Sequence, residues 1–323
     1  MEDEMNRNRD SRNFGFGKRM DFAVHTALLD RHGSGHQFAT VAAHKNRMRP
    51  FLVYVCEADV KDLRQAERPL VLAYAQHVAD RVADELLAPK TGKNRISTVN
   101  VVLGHMRGDH ACFVKPSDVM GRISCIRQVP PPGMDHDKVQ EVVRVLESHG
   151  HRATADAVRL TRTFGLRIRE AALLNLPRVV REAETRGVIN VIEGTKGGRT
   201  VDRWVPVTAE GVEVLRAVRR SRKAGKLIGN ATSFRAWYNE QYCRFRPVAL
   251  EVGLTSKFHD LRAAYACDRY KEETGFDAPV IVGGRIAPHD LDQAARAKLA
   301  LELGHTRAQI LGSYVGGVRE PKE

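Results

Sequence analysis

FGLRIRE, residues 164 to 170, places an arginine between two apolar residues directly after a glycine. A glycine takes the left-handed conformation at no steric cost, so Gly165 ends one helix and Arg167 stands near the start of the next. Two readings of Arg167 follow. It is an ordinary surface cation with Glu170 as its solvated neighbour, or it is a guanidinium held on an apolar shelf and aimed at an anion. The rest of the chain decides between them.

With 323 residues, the chain is long enough for two domains, each burying its own core. It contains no apolar run of the ~18 residues that would read as a membrane span. The first twenty residues are polar and mixed in charge, unlike a secretory signal, so a cytoplasmic protein is expected, with no membrane partner. Cys56, Cys112, Cys125, Cys243 and Cys267 are scattered at spacings that suit neither a disulfide framework nor a zinc knuckle. His32 and His36 stand four apart in a glycine-rich segment without a cysteine or acidic ligand nearby, so no metal and no other cofactor is expected. Lys and Arg number 52 against 39 Asp and Glu, a net charge of +13. That excess makes a phosphate backbone the leading partner, and a basic surface without a ligand is the plain alternative.

Periodicity divides the chain. Leu70, Tyr74, Val78, Val82 and Leu86 form one helical stripe between Pro69 and Pro89, and Ile96, Val99, Leu103 and Met106 form a second after the turn signal KTGKN. Apolar helical patterns near residues 20 to 30 and 38 to 58 complete a domain of about four helices. The prolines of QVPPPGM favour a stiff, extended connector. Beyond it come a stripe through Val139, Val142, Val143 and Leu146, a helix ending at Gly165, and two β-branched stretches flanking TKGG that read as a hairpin. Helical patterns resume near residue 209. The expected fold is mainly α with a small antiparallel β-sheet. Its parts are an N-terminal extension (1–19), a helical domain (20–127), a Pro-rich linker (128–134) and a mixed α+β domain (135–323).

Four segments of the second domain hold polar residues in unusual places. FGLRIRE offers Arg167, EGTKGGR puts Lys196 at the hairpin tip, KFHDLRAAYA places His259 and Arg262 three apart on one helix face, and LGHTRAQILGSYVGG carries His305 with Tyr314 nine positions later. Each signal is weak alone: a lysine in a turn is usually solvated, and a tyrosine near such a position is more often a packing residue. Their order and spacing together resemble the tyrosine recombinases, the phage-type integrases and Xer-type recombinases. The family pattern of GLRxxE, a lysine turn, HxLR and LGH followed by a tyrosine is matched in order by GLRIRE, KGGR, HDLR and LGH with Tyr314.

The resemblance implies a helical core-binding domain followed by a tyrosine-recombinase catalytic domain, and a catalytic set of Arg167, Lys196, His259, Arg262, His305 and Tyr314. Such an enzyme cleaves and rejoins DNA through a covalent 3′-phosphotyrosine, integrating or excising a mobile element. Arg167 and Arg262 would supply forked donors to the phosphate oxygens, with His305 as a further donor. His259 would accept or hand on the nucleophile's proton, Lys196 would protonate the departing 5′ oxygen, and Tyr314 would attack. A free phenol ionises only near pH ~10, so surrounding cations would have to help it. Glu170 would orient a neighbouring residue of the site. The ester conserves the energy of the broken bond, so a 5′ hydroxyl from another strand reseals it without ATP. The family exchanges strands in homotetramers on double-stranded DNA, sometimes with accessory DNA-bending proteins.

DNA contacts are expected from both domains, closing on the duplex as a clamp. RAVRRSRKAGK offers Arg219, Arg220, Arg222 and Lys223 to phosphates, and Lys93, Asn94 and Arg95 stand where helix N-terminal residues would meet a groove. Two departures from the family pattern stand out. Between Arg262 and His305 lie 42 residues, more than in compact members, read as a flap or a protomer contact. After Tyr314 come nine residues, too few and too polar for a terminal helix docked into a neighbour. The rival readings are a type IB topoisomerase, which uses the same residue set to relax DNA, and a catalytically silent DNA-binding accessory protein. GTKGGRT lacks the spacing of a nucleotide-binding P-loop.

Overall fold

The computed structural model describes residues 7–33, 37–195, 201–221 and 225–319. The chain divides into two compact units, Met1–Ser124 and Cys125–Glu323.

The first unit is built from α1 (Met20–His32), α2 (Phe38–Glu57), α3 (Arg68–Ala83), α4 (Pro89–Arg107) and the short α5 (Pro116–Met120). Leu28, Met48, Phe51, Tyr74, Ile96, Leu103 and Met106 meet in one core. Two expectations change here. The α3 stripe stops early: the helix ends at Ala83 and Leu86 is exposed. KTGKN is not a turn, because Pro89 opens α4, where its missing N–H costs nothing. Gly92 faces Val78, Val82 and Met120 so closely that an added Cβ would lie 2.8 Å from Met120 Cε. The glycine serves helix packing, and its presence in the sequence mimics a turn signal. Lys93, Asn94 and Arg95 therefore lie in the second turn of α4, not at its N-terminus; Lys93 is exposed and the other two are half-buried.

The second unit contains α6 (His136–Ser148), α7 (Arg152–Phe164), α8 (Ile168–Leu173), α9 (Leu176–Arg186), β1 (Val188–Asn190), β2 (Trp204–Pro206), α10 (Ala209–Arg220), α11 (Phe234–Glu251), α12 (Phe258–Thr274), α13 (Pro279–Val282), α14 (His289–Glu302) and α15 (Gly312–Val315). The two strands pair antiparallel with Ile189 opposite Val205. Each β-branched stretch thus contributes only three ladder residues, though Val191 N–H to Arg203 O (2.8 Å) and Val207 N–H to Gly187 O (2.9 Å) extend the pairing.

Helix α12 is the axis of this unit. Its run LRAAYAC is buried on every side, because three alanines let α7, α14 and α15 approach together. The proline run packs onto the same helix: Pro131 and Gly133 are buried, and a Cβ on Gly133 would lie 3.2 Å from Leu261 Cα. The long segment between Arg262 and His305 is not a flap. It forms α13 and α14, and α14 buries Ala295, Leu299 and Ala300 in the main core.

Candidate active site

Gly165 adopts φ +59°, and a Cβ there would fall 2.3 Å from the Tyr265 ring, so both conformation and space demand glycine. The chain turns at this point, anchors itself with the wholly buried Leu166, and releases Arg167 at the N-terminus of α8. Glu170 closes the turn. Its carboxylate accepts from the Arg167 backbone N–H (2.7 Å) and from Arg167 Nη1 (2.6 Å). The same carboxylate lies 2.8 Å from Arg203 Nη1 and 3.6 Å from Arg262 Nη1. Glu170 is fully buried, which removes the solvated reading of it. Burial pushes its pKa up, but the guanidiniums of Arg203, Arg262 and Arg167 outweigh this and hold it below the usual carboxylate value.

Arg262 is the largest fully buried side chain among the described residues. It donates to the carbonyls of Gly165 and Leu303, and its Nε lies 3.4 Å from the Tyr314 hydroxyl. Burial lowers its pKa to about 10, so it stays charged at neutral pH. Three guanidiniums thus surround one carboxylate. A buried excess of positive charge is costly unless an anion completes it. Arg203 Nη2 is also buried without a hydrogen-bond partner. Arg167 borders two clefts. One, of 150 Å³, is lined by Arg203, Thr195, Gly304 and His305; the other, of 380 Å³, by Tyr242, Lys257, His259 and Arg262.

His305 follows Gly304, which takes φ +65° at the end of α14. Its Nε2 lies 3.1 Å from the Tyr314 hydroxyl and 3.5 Å from Arg167 Nη2. A guanidinium only donates, so Nε2 is an acceptor and the imidazole is neutral. Burial, then the charges of Arg262, Arg167 and Arg203, lower its pKa to about 4, in agreement. The hydrogen bonds form a directed chain: Arg262 Nε–H to the phenol oxygen, and the phenol O–H to His305 Nε2. His259 stands differently. Its ring tilts against that of Tyr314 at 5.2 Å, it is exposed, and no hydrogen bond joins it to the phenol. The hydrogen-bond partner of the Tyr314 hydroxyl is therefore His305, whereas the sequence reading gave the tyrosine proton to His259. Tyr314 itself is only 3% exposed, its hydroxyl engaged with the very donors that an incoming phosphate would use.

Arg167, His259, Arg262, His305, Tyr314 and Glu170 thus converge. Lys196 lies outside the described residues, as do Arg222, Lys223 and His36. Arg219 and Arg220 occupy the last turn of α10, half-buried and exposed respectively, while Arg216 is tied to Glu184 and Glu213. His32 stacks on His44, and no group of three or more potential metal ligands occurs among the described residues. The sequence reading missed Arg203. Alternation along Arg203, Val205 and Val207 places the arginine on the inward side of the hairpin, and a charge at an inward position was the available signal.

Residues 127–268 match the family profile described as Integrase, a span that includes Arg167, Glu170, His259 and Arg262 and ends before His305 and Tyr314. No curated protein matches the chain. Among solved structures, the Tn1549 transposon integrase in complex with circular intermediate DNA is 14% identical, with 91% of this chain and 95% of that one covered and a TM-score of 0.57. A lambda integrase dimer bound to a COC′ core site is 14% identical over 92% of this chain and 97% of that one, with a TM-score of 0.56. A lambda integrase tetramer bound to a Holliday junction is 15% identical over 92% and 79%, with a TM-score of 0.53. At such identities the likeness shows the fold alone, and the integrase profile spans less than half of the chain. The chain has the fold of these integrases, and its residues 127–268 carry the integrase profile.

Proposed function

We propose that the chain is a site-specific recombinase that cuts and rejoins double-stranded DNA through a phosphotyrosine at Tyr314. The observation that carries this reading is the hydroxyl of Tyr314 held between Arg262 Nε and His305 Nε2, beside three guanidiniums gathered on Glu170. A scissile phosphate entering the site takes the forked donors of Arg167 and Arg262, which offset the charge that grows on its non-bridging oxygens. The phenol oxygen then attacks phosphorus while its proton passes to His305 Nε2. The bond from phosphorus to the 5′ oxygen breaks, and Lys196 protonates that oxygen. Reversal with a 5′ hydroxyl from another strand reseals the backbone. Arg203 keeps Glu170 ionised and so keeps Arg167 aimed.

The solved relatives are described as a dimer on a core site and a tetramer on a Holliday junction. By that analogy the enzyme acts as a homotetramer on paired recombination sites of a mobile element. Accessory DNA-bending proteins assist it, on the nucleoid of a bacterial cytoplasm. The helical first unit serves as the core-binding domain, and Lys93, Asn94, Arg95, Arg219, Arg220, Arg222 and Lys223 contact DNA. Among the described residues no helix is long and apolar enough to cross a membrane.

A strand-exchange assay tests the reading. A nicked-duplex library is first screened for covalent capture by the wild type, and a supercoiled plasmid carrying two copies of the captured site is then incubated with the protein in EDTA. Recombinant circles are the expected product. Relaxation of unrelated plasmids without exchange would make the chain a topoisomerase, and binding without cleavage would make it a silent accessory protein.

A further inference from the structure

The backbone beyond Tyr314 is gripped by buried side chains that the chemistry above does not use. Arg296 of α14 donates through Nη1 to the Gly316 carbonyl (3.1 Å) and through Nη2 to the Gly317 carbonyl (3.0 Å). Its Nε is fixed on both oxygens of Asp292, at 2.8 and 2.9 Å, and Tyr270 donates its hydroxyl to Asp292 Oδ1 at 2.7 Å. Asp292 and Arg296 are both buried. Gly316 takes φ +94°, and a Cβ there would meet Val280 N at 2.6 Å, so the chain lies directly on α13. Further along, the Arg285 backbone N–H bonds the Arg319 carbonyl (2.8 Å) and Arg285 Nε bonds that of Val318 (3.2 Å). On the other side of the tyrosine, the Gly312 carbonyl accepts from the Arg127 N–H at 2.8 Å.

Buried backbone carbonyls need partners, and water or a simple turn usually supplies them. Here a planar fork fixes two successive carbonyls, a stricter constraint than a lysine or an apolar contact could impose. The helix that carries the fork also ends in the Leu303 carbonyl that holds Arg262, and it leads directly into His305. One element therefore sets both the donors of the cleft and the distance of the phenol from them. The long segment between Arg262 and His305 acquires a role: it supplies Val280, Arg285, Asp292 and Arg296, the walls of this grip.

We propose that Arg296, oriented by Asp292 and Tyr270, is a positioning residue that locks the tail of the nucleophile segment and so sets the distance of the Tyr314 phenol from the donors of its cleft. The inference rests on the recombinase reading and deepens it. The grip sits outside the cleft, so its loss misplaces the phenol without removing any group that contacts the phosphate.

Two measurements test this, both on nicked duplexes that the wild type captures covalently. Arg296→Met keeps the volume of the stem and removes the fork. Its single-turnover rate of covalent capture is expected to fall on the order of 10- to 100-fold, because small misplacements of a reacting group cost that much, while DNA affinity holds. Arg296→Lys, a charge without the fork, is expected to fail to restore the rate. Wild-type capture by Arg296→Met, or a parallel loss of DNA affinity, would reduce Arg296 to a packing role. The second measurement does not depend on that variant's folding. Tyr270→Phe leaves Arg296 in place and removes only the hydrogen bond that orients Asp292, so capture is expected to slow about 3- to 10-fold at unchanged DNA affinity. An unchanged rate would overturn the proposal. Absence of capture by the wild type itself would instead remove the recombinase reading on which it rests.

Discussion

At the scale of single residues, the site is organised around one buried carboxylate. Removing Glu170 leaves Arg167, Arg203 and Arg262 without their common counter-ion, and breaking a buried pair from one side costs about 3–5 kcal/mol. Glu170→Ala is expected to lose stability of that order in urea unfolding; a loss below about 1 kcal/mol would mean that water already compensates the arginines. His305 makes a pH-dependent contribution of known sign. Its folded pKa, about 4, lies below the unfolded value of 6.5, so the unfolded chain binds the proton first and stability falls as pH drops from 6.5 toward 4. After discounting for solvent screening, the contribution at pH 5 is about 1 kcal/mol. His305→Asn should therefore show a shallower decline in melting temperature across that window than the wild type, and equal slopes would refute the assignment. Arg167, Arg262, His305 and Tyr314 were legible in the sequence because each sits in a short motif with fixed spacing. Arg203 was not, since its partners Glu170 and Glu302 lie far away in the chain, and the choice of His305 over His259 as the phenol's hydrogen-bond partner depends on tertiary geometry that spacing does not encode.

At the scale of elements, glycine carried two meanings that the sequence alone could not separate. Gly165 ends a helix in the left-handed conformation, as its place in FGLRIRE suggests. Gly92 stands inside α4 and lets it close on Val78, Val82 and Met120, although KTGKN reads as a turn. Both backbone freedom and close packing select glycine, and only the tertiary neighbours tell them apart. Gly92→Ala is expected to destabilise the first unit by about 1–3 kcal/mol through overpacking, despite the better helix propensity of alanine. A stabilised variant in thermal unfolding would show that Met120 yields freely. The regular ladder stops short of Arg203 because its backbone N–H is taken by Asn190 Oδ1 (2.9 Å), while its side chain bonds the Glu302 carbonyl at 2.6 Å and pairs with Glu170. The helices α6 and α7 were the most legible elements, each with a clean apolar stripe, whereas α12, buried all round, shows little periodicity.

At the scale of the whole molecule, a net charge of +13 suits a phosphate partner, and buried arginines cluster around Tyr314. The central claim is that Tyr314 becomes covalently joined to DNA. The direct measurement is covalent capture on nicked duplexes in EDTA, followed by protease digestion and mass spectrometry of the DNA-linked peptide. The account predicts a 3′-phosphotyrosyl adduct on Tyr314, absent from Tyr314→Phe while DNA binding persists. An adduct on another residue, or undiminished capture by Tyr314→Phe, would contradict it.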